Sequence, residues 1–295
     1  MKQYYLKFEP LSKMFYVEDS VIEQFNSEEE IPELELSADD YNRLGVQVPA
    51  EDAPVIGFLS GRSGDCYSAD WNYMLAIAKT GARIVCLDYQ HYLTQLNKCQ
   101  GLVLPGGAFP SSELYYTDPR NDEEFASQQQ KAYSLCIRYA VERKMPILGV
   151  CAGAQVVAAE FGLKLYRSFD YVETPIVHNT KQEQAHRLNV FPHTPLAQIF
   201  GEGNLFFVNS RHSELLVPTI VQRELWAQAH HCSPDDVQLP LEIYAEAGDG
   251  TPEAWGSVER NILCVQWHPE DLAAKGDARM QSIYQWLTDR VRTLA

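Results

Sequence analysis

The residues best suited to chemistry are a cysteine flanked by two glycines, Gly149-Val150-Cys151-Ala152-Gly153, at the end of an apolar run. This spacing matches the G-x-S-x-G nucleophile elbow, with cysteine in place of serine. The glycines leave room for a sharp strand-to-helix turn, which aims the Cys151 sulfur at a helix N-terminus. Backbone N–H groups at that position favour negative charge and stabilise a thiolate. The sequence therefore predicts a cysteine-nucleophile enzyme.

A thiol nucleophile needs a base, and the best candidate is His268, which precedes Pro269 and Glu270. Pro269 biases His268 towards extended backbone and puts a turn between His268 and Glu270, so that both side chains can point to one place. A carboxylate on one imidazole nitrogen would fix the tautomer and leave the other nitrogen to accept the thiol proton. The alternative, a buried structural cysteine and a core histidine, is disfavoured by the flanking glycines and by Glu270.

Alternating strand and helix patterns lead up to these motifs. The predicted strands are 55–59, 83–88, 101–105 and 146–150, and the predicted helices are 70–80, 91–97, 123–143 and 155–161. Such alternation implies crossover connections and a mainly parallel sheet, in which ligands bind beyond the carboxyl ends of the strands. Gly106-Gly107 and Cys151 both follow strand ends, so we expect them to share one site.

The pattern changes after Phe161. Shorter strands are predicted at 162–166, 205–208, 241–247, 254–258 and 262–267, and an amphipathic helix is predicted at 273–294. The proline-bearing stretches 192–195 and 218–240 are interpreted as surface connections. The predicted fold class is thus α/β, with a mostly parallel central sheet flanked by helices and a small antiparallel β addition.

The composition limits the classes of partner. The 295 residues suffice for one large α/β domain or two small ones, and the formal net charge of −16 disfavours nucleic acid. Residues 1–54 alone carry 13 acidic and 4 basic residues. We interpret residues 1–53 as an acidic N-terminal extension, partly solvated and partly packed, before a catalytic domain at 54–295. The alternative is that this extension docks to a basic partner.

Location and cofactors follow from what the sequence lacks. No apolar run approaches the ~18 residues of a membrane span, and the N-terminus has no signal-peptide pattern. The seven cysteines include no C-x-x-C pair, which argues against a disulfide scaffold. We therefore expect a soluble, cytoplasmic protein without membrane contact, and a homodimer stays open. His230-His231-Cys232 resembles a metal motif, but adjacent residues rarely bind one ion together. No cofactor and no metal are expected.

On these motifs the chain resembles the class I glutamine amidotransferase superfamily, and most closely its gamma-glutamyl hydrolase branch. That branch comprises the C26 peptidases, typified by gamma-glutamyl-gamma-aminobutyrate hydrolases. The resemblance covers residues 54–290 and rests on four segments in the family's order, namely 104–107, 149–155, 208–212 and 266–270. It implies a flavodoxin-like fold and a Cys151–His268–Glu270 triad that forms a gamma-glutamyl thioester. It also implies an oxyanion hole from the backbone N–H groups of Gly107 and Ala152.

The resemblance also suggests a substrate-side role for Asn209, Ser210 or His212, although His212 fits a structural histidine equally well. Arg211 and Arg62 are either surface arginines or partners of a substrate carboxylate. The predicted substrate-binding residues are Gly106, Gln155, Arg211, His212, Arg62 and Phe109.

Two departures from the family concern the leaving group. Phe109 stands where the hydrolase branch commonly has Asp, and Ala152 stands where a larger or charged residue is usual. Both changes leave the triad intact. Phe109 would make the leaving-group side of the site more apolar.

The sequence thus predicts a hydrolase that cleaves a gamma-glutamyl amide or isopeptide bond of a small substrate through a thioester on Cys151. One alternative is the glutaminase component of an amidotransferase, which would deliver ammonia to a synthase on a separate subunit. The other is a non-catalytic scaffold or sensor, against which the intact Cys151, His268 and Glu270 argue. The identity of the amine leaving group stays open.

Overall fold

The computed structural model describes residues 3–24, 33–107, 128–166, 175–201 and 206–294. The chain divides into two compact units, each built from separate chain segments. The first unit comprises Met1–Pro105, Lys131–Leu148 and Glu270–Ala295, and the second comprises Gly106–Gln130 and Gly149–Pro269.

Most strands are short, and the longest have six residues. In chain order the strands are β1 (Gln3–Tyr5), β2 (Lys7–Glu9), β3 (Met14–Glu18), β4 (Glu33–Glu35), β5 (Val55–Leu59), β6 (Gly61–Ser63), β7 (Cys66–Asp70), β8 (Arg83–Leu87), β9 (Gly101–Leu104), β10 (Ile147–Val150), β11 (Leu165–Tyr166), β12 (His186–Val190), β13 (Phe206–Val208), β14 (Leu215–Leu216), β15 (Glu242–Ala247), β16 (Pro252–Ser257) and β17 (Ile262–Val265). The strands predicted around 55–59, 83–88, 101–105 and 146–150 are confirmed as β5, β8, β9 and β10.

The helices range from single turns to a long helix near the end of the described chain. They are α1 (Asp19–Ile22), α2 (Ala38–Arg43), α3 (Trp71–Ala78), α4 (Tyr92–Leu96), α5 (Gln128–Glu142), α6 (Ala152–Glu160), α7 (Pro195–Phe200), α8 (Thr219–His230), α9 (Pro269–Ala274) and α10 (Ala278–Leu294). None of the described helices combines the length and the apolar content that crossing a membrane requires.

The structure differs from the sequence predictions at two helices, in one case for the whole segment and in the other only at its start. The stretch 218–240, interpreted as a surface connection, contains the 12-residue helix α8, because Pro218 stands at its N-cap rather than inside it. The single helix predicted at 273–294 is two helices, α9 and α10. Gly276 between them has φ +98°, a backbone conformation that ends a helix.

Parallel strands form the centre of the first unit. β5 lies between β8 and β9 and runs parallel to both, with Ile56 opposite Ile84 on one side and Gly101 on the other. Within this unit the strand order is β1-β4-β8-β5-β9-β10. The apolar runs in these strands are almost completely buried, as parallel strands covered on both faces require.

Helix α10 covers β9 with one apolar face. Its buried residues are Met280, Ile283, Tyr284, Leu287, Thr288 and Val291. These positions recur at intervals of three and four, which places them on one side of the helix. A side chain on Gly101 would lie 2.9 Å from Val291, so glycine permits the close approach of helix and strand.

Residues before position 54 contribute strands to the first unit. β2 and β3 form an antiparallel hairpin, and β3 pairs with β7 so that Phe15 lies opposite Ala69. The rings of Phe8 and Phe15 pack against Trp71, with centroids 5.2 and 5.9 Å away. The acidic run at 28–30 lies outside the described residues. The domain boundary at 54 stays a prediction, although strands from its two sides pair with each other.

The second unit contains antiparallel strands in the order β17-β16-β15-β12-β13. Trp255 on β16 lies opposite Cys264 on β17, and the side chains of Trp255 and Trp267 are fully buried. A further pair, β11 and β14, is also antiparallel. The antiparallel addition that the sequence predicts is therefore built from the strands that follow α6 in the chain.

Replacing Leu287 by alanine tests the packing of α10 on β9. Leu287 is 1% exposed and its Cδ1 lies near Gly101, so its loss should lower the free energy of unfolding by about 2–5 kcal/mol. Urea denaturation measures the change. Leu294→Ala on the same helix is the control, because Leu294 is 53% exposed. Equal losses in the two variants would contradict this packing.

Candidate active site

Cys151 occupies a strained turn between β10 and α6. Its backbone has φ 49° and ψ −113°, although cysteine has a Cβ that disfavours positive φ. Such a conformation costs about 1–3 kcal/mol and persists only where the surroundings enforce it. This is the strand-to-helix turn expected of a nucleophile elbow.

Gly149 makes this turn sterically possible. A Cβ at that position would lie 2.8 Å from the Ala154 Cα and 3.0 Å from the Cys264 sulfur. Any larger residue at 149 would therefore push the start of α6 away from the strand. The requirement for glycine that the sequence motif suggests has a direct physical cause here.

Hydrogen bonds connect the elbow to the end of β17. The Cys151 N–H donates to the carbonyl oxygen of Val265 at 2.9 Å. In the first turn of α6, the buried Gln155 amide donates to the Gln266 side chain at 3.0 Å and to the Glu214 carbonyl at 2.8 Å. Gln155, predicted to bind substrate, thus also braces the strand end that leads to His268.

The side chain of Asn209 holds the backbone of His268. The Asn209 Oδ1 accepts from the His268 N–H, and the Asn209 Nδ2 donates to the His268 carbonyl oxygen, both at 2.9 Å. Two hydrogen bonds from one planar amide fix both the position and the orientation of this peptide segment. The sequence suggested a substrate-side role for Asn209, whereas the structure gives it this positioning contact.

Glu270 lies in the first unit, in the first turn of α9. Its side chain is 2% exposed and accepts a hydrogen bond from the Tyr284 hydroxyl at 3.3 Å. Burial and the nearby Glu270 carboxylate together raise the pKa of Tyr284 well above its usual value. Tyr284 therefore stays a neutral donor to Glu270. Pro269 occupies the first position of α9, so the predicted turn after His268 is the beginning of a helix.

The predicted oxyanion donors belong to the second unit. Gly107 follows β9 and is exposed, Gly106 is partly buried, and Ala152 is the first residue of α6. A Cβ on Gly107 would meet its nearest neighbour, the Gln129 amide, at 3.7 Å. Glycine at 107 is thus not demanded by packing among the described residues.

The remaining predicted substrate-binding residues have different surroundings. Arg211 is exposed and forms an isolated backbone bridge with Asn179. Arg62, in the first unit, forms an ion pair with Asp19 and lies over the Tyr67 ring, with its guanidinium carbon 5.4 Å from the centroid. Both contacts of Arg62 are to residues of its own unit.

The last two predicted substrate-binding residues are His212 and Phe109. His212 is buried beside Glu253, with its Nε2 3.6 Å from the carboxylate. Phe109 lies outside the described residues. The roles given to both in substrate binding stay predictions.

The other cysteines differ from Cys151 in their surroundings. Burial raises the pKa of Cys86 to about 12 and raises the pKa values of Cys99, Cys136 and Cys264 well above their usual range. Burial and nearby carboxylates also raise the pKa of Cys66. A thiol with a raised pKa carries little thiolate at neutral pH and reacts slowly.

Two solved structures with a similar fold are a glutaminase domain and a glutamine amidotransferase. The glutaminase domain of Trypanosoma brucei CTPS matches with a TM-score of 0.56 and 15% identity, over 81% of this chain and 94% of that domain. A glutamine amidotransferase of Thermotoga maritima matches with a TM-score of 0.52 and 13% identity, over 82% of this chain and 99% of that one. At these identities the likeness establishes the fold alone. The predicted α/β fold class, with its mostly parallel sheet, is thereby confirmed.

Proteins related in sequence indicate the family to which the chain belongs. A glutamine amidotransferase-like protein of Lactococcus lactis is 31% identical over 62% of this chain and 70% of its own length. The gamma-glutamyl-gamma-aminobutyrate hydrolase of Escherichia coli K12 is 27% identical over 67% of this chain and 76% of its own length. The peptidase C26 family model matches residues 62–270, more than half of the chain. The chain belongs to the peptidase C26 family, which confirms the resemblance inferred from the motifs and supports an amidase or peptidase activity.

Limited alkylation tests whether Cys151 is the activated thiol. Iodoacetamide at mildly acidic pH should modify Cys151 before the other six cysteines, because the N-terminus of α6 favours a thiolate there. Peptide mass spectrometry identifies the site. Exposure alone would favour Cys232, since Cys151 is only 6% exposed and Cys232 is exposed. Preferential labelling of Cys232 or Cys66 would contradict the elbow assignment.

Proposed function

We propose that the protein is a cysteine-dependent hydrolase that cleaves a gamma-glutamyl amide or isopeptide bond. The observation that carries this proposal is the strained backbone of Cys151 at the junction of β10 and α6, in a member of the peptidase C26 family. Strain of this kind concentrates at functional sites, where it aims a reactive group.

The proposed reaction has two stages. The Cys151 sulfur attacks the gamma-carbonyl carbon of the substrate while His268 accepts the thiol proton. The backbone N–H groups of Gly107 and Ala152 stabilise the oxyanion, and donors of this kind contribute roughly 10²–10³ in rate. The intermediate collapses to a thioester, and His268 gives its proton to the departing amine. Water, deprotonated by His268, then attacks the thioester carbonyl. The C–S bond breaks, glutamate is released, and His268 returns its proton to the Cys151 sulfur.

Glu270 completes the proposed triad by orienting the His268 imidazole and stabilising its protonated form. The two Asn209 hydrogen bonds support the same task from the backbone side. Asn209 is a positioning residue, because its contacts are to the His268 peptide and not to the ring.

Arg211 is our candidate for the substrate α-carboxylate. It is exposed, and it lies on the same segment as Asn209, so it is carried on the chain that holds His268. A guanidinium binds a carboxylate through two parallel hydrogen bonds. Arg62, whose guanidinium forms an ion pair with Asp19, is the other candidate.

A glutaminase component of an amidotransferase is the second candidate. The 31% identity to the glutamine amidotransferase-like protein of Lactococcus lactis favours it. The two candidates share the thioester chemistry and differ in the leaving group, which is ammonia for glutamine and a larger amine for other gamma-glutamyl amides.

The cytoplasmic location and the homodimer that the sequence analysis left open stay predictions.

A leaving-group series distinguishes these candidates. We expect kcat/KM to be higher for gamma-glutamyl amides with apolar or extended amines than for glutamine, because Phe109 replaces the Asp usual in the hydrolase branch. Cys151→Ala should lower kcat by about 10⁴–10⁶-fold, since nucleophile and base act as a unit.

The matched control is Cys232→Ala, which removes an exposed thiol outside the proposed site and should leave kcat unchanged. A clear preference for glutamine would favour the amidotransferase candidate. Undiminished hydrolysis by Cys151→Ala would exclude the thioester mechanism.

A further inference from the structure

The second unit buries three histidines and a glutamate together, namely His178, His186, His212 and Glu253. All four side chains are at most 3% exposed. One donor atom can be chosen from each residue so that the four atoms lie within 4.8 Å of one another. Of these four residues the sequence motifs point to His212 alone, because the four positions are too scattered to form a zinc spacing motif.

Two of the three distances in this cluster match the spacing of ligands around a common ion. The Glu253 Oε1 lies 3.1 Å from His178 Nδ1, 3.4 Å from His186 Nε2 and 3.6 Å from His212 Nε2. Hydrogen bonds from nitrogen to oxygen span about 2.7–3.2 Å, so only the His178 contact falls within that range. Ligands placed tetrahedrally about 2.0–2.2 Å from a zinc ion lie about 3.3–3.6 Å apart.

The outer nitrogens of two rings have partners of their own. His178 Nε2 lies 2.9 Å from Asp249 Oδ2, and His212 Nδ1 lies 2.9 Å from the carbonyl oxygen of Glu214. Both partners accept hydrogen bonds, so each of these nitrogens carries the ring proton. Metal-bound histidines characteristically have a carboxylate or backbone carbonyl on their second nitrogen.

These tautomers direct lone pairs at the carboxylate. When these rings are neutral, His178 Nδ1 and His212 Nε2 are acceptors, and both lie near the Glu253 carboxylate. Lone pairs and a buried carboxylate repel one another unless positive charge lies among them. Two additional protons or one divalent cation would supply that charge.

We propose that His178, His186, His212 and Glu253 bind one divalent transition-metal ion, with Zn²⁺ as the preferred ion. Imidazole nitrogen and carboxylate oxygen are donors that zinc accepts in tetrahedral sites. Four protein ligands leave no open coordination position, so the site is structural rather than catalytic. The expectation from the sequence that the protein needs no metal is the opposite of this proposal.

The ion would join segments that are distant in the chain. His186 lies on β12 and Glu253 on β16, while His178 and His212 come from two connecting segments. The Ser210 hydroxyl and the His212 N–H both donate to the His178 carbonyl oxygen, at 2.5 and 3.2 Å. The metal would therefore reinforce a contact that already pairs these two segments.

This cross-link is close in the chain to Asn209, whose side chain holds the His268 backbone. A fixed 209–212 segment keeps that contact in place, so removal of the metal should also weaken the positioning of His268. This consequence rests on the proposed function, whereas the metal site itself does not.

The decisive experiment measures metal binding directly. The purified full chain is stripped with a chelator and reloaded with Zn²⁺ or Co²⁺, in a Cys151→Ser background so that the active thiol cannot bind metal. We expect one Zn²⁺ per chain by elemental analysis, a rise in Tm on reloading, and the intense visible absorption of tetrahedral Co²⁺ without a thiolate charge-transfer band.

Two variants and one control locate the site. Glu253→Gln and His186→Gln should each lose stoichiometric binding and the Tm rise, and His230→Gln, at an exposed histidine, should retain both. The Co²⁺ spectrum of the unsubstituted cluster decides the matter even if the buried variants fold poorly. Absence of stoichiometric binding, or equal binding by the two variants and the control, would overturn the proposal and leave protons as the charge that holds Glu253. Hydrolysis assays are a separate readout, so failure of either proposal is recognisable by itself.

Discussion

The structure depends on one backbone constraint, the positive φ of Cys151. A chain that leaves a parallel strand and enters a helix without an intervening loop must turn within one residue. Cysteine tolerates that turn only because Gly149 has no side chain to collide with Ala154. As a result the Cys151 sulfur lies at the start of α6. The backbone N–H of Cys151 donates a hydrogen bond to the carbonyl oxygen of Val265.

Two sets of polar contacts support the chain on either side of that turn's neighbours in the second unit. The Gln155 amide donates to the Gln266 side chain, and Asn209 bonds both the N–H and the carbonyl oxygen of His268. The first contact is buried and the other two are partly buried, and such hydrogen bonds are costly to break. The side chains that would perform chemistry are therefore positioned by neighbours that perform none. The buried cluster around Glu253 also supports this arrangement, because its member His212 lies on the segment that carries Asn209.

The sequence predicted the parts of the fold whose signals are local. The apolar runs of β5, β8, β9 and β10 and the glycines around Cys151 determine structure within a few residues, so they could be identified without coordinates. The family resemblance followed from short motifs in a fixed order. Helix α8 was missed because proline at both ends of its segment suggested a connection, and the break at Gly276 was missed because glycine inside a helical pattern is often tolerated.

Contacts between residues that are distant in the chain could not be predicted from the sequence. Nothing in the residue types distinguishes Asn209 as a clamp from Asn209 as a substrate ligand, since both uses need a buried amide. The convergence of His178 and His186 with His212 depends on the pairing of β12 with β13 and β15, which no local pattern specifies. The ion pair between Arg62 and Asp19 is another long-range contact, so the sequence alone leaves Arg62 as a candidate for binding substrate.

The proposed reaction requires a covalent bond between Cys151 and the gamma-glutamyl group. Acid quenching of the protein during turnover of a gamma-glutamyl amide, followed by intact-mass measurement and peptide mapping, detects such a bond. We expect a single gamma-glutamyl adduct on the peptide that contains Cys151, and none in Cys151→Ala. Turnover without any adduct, or an adduct on another residue, would contradict it.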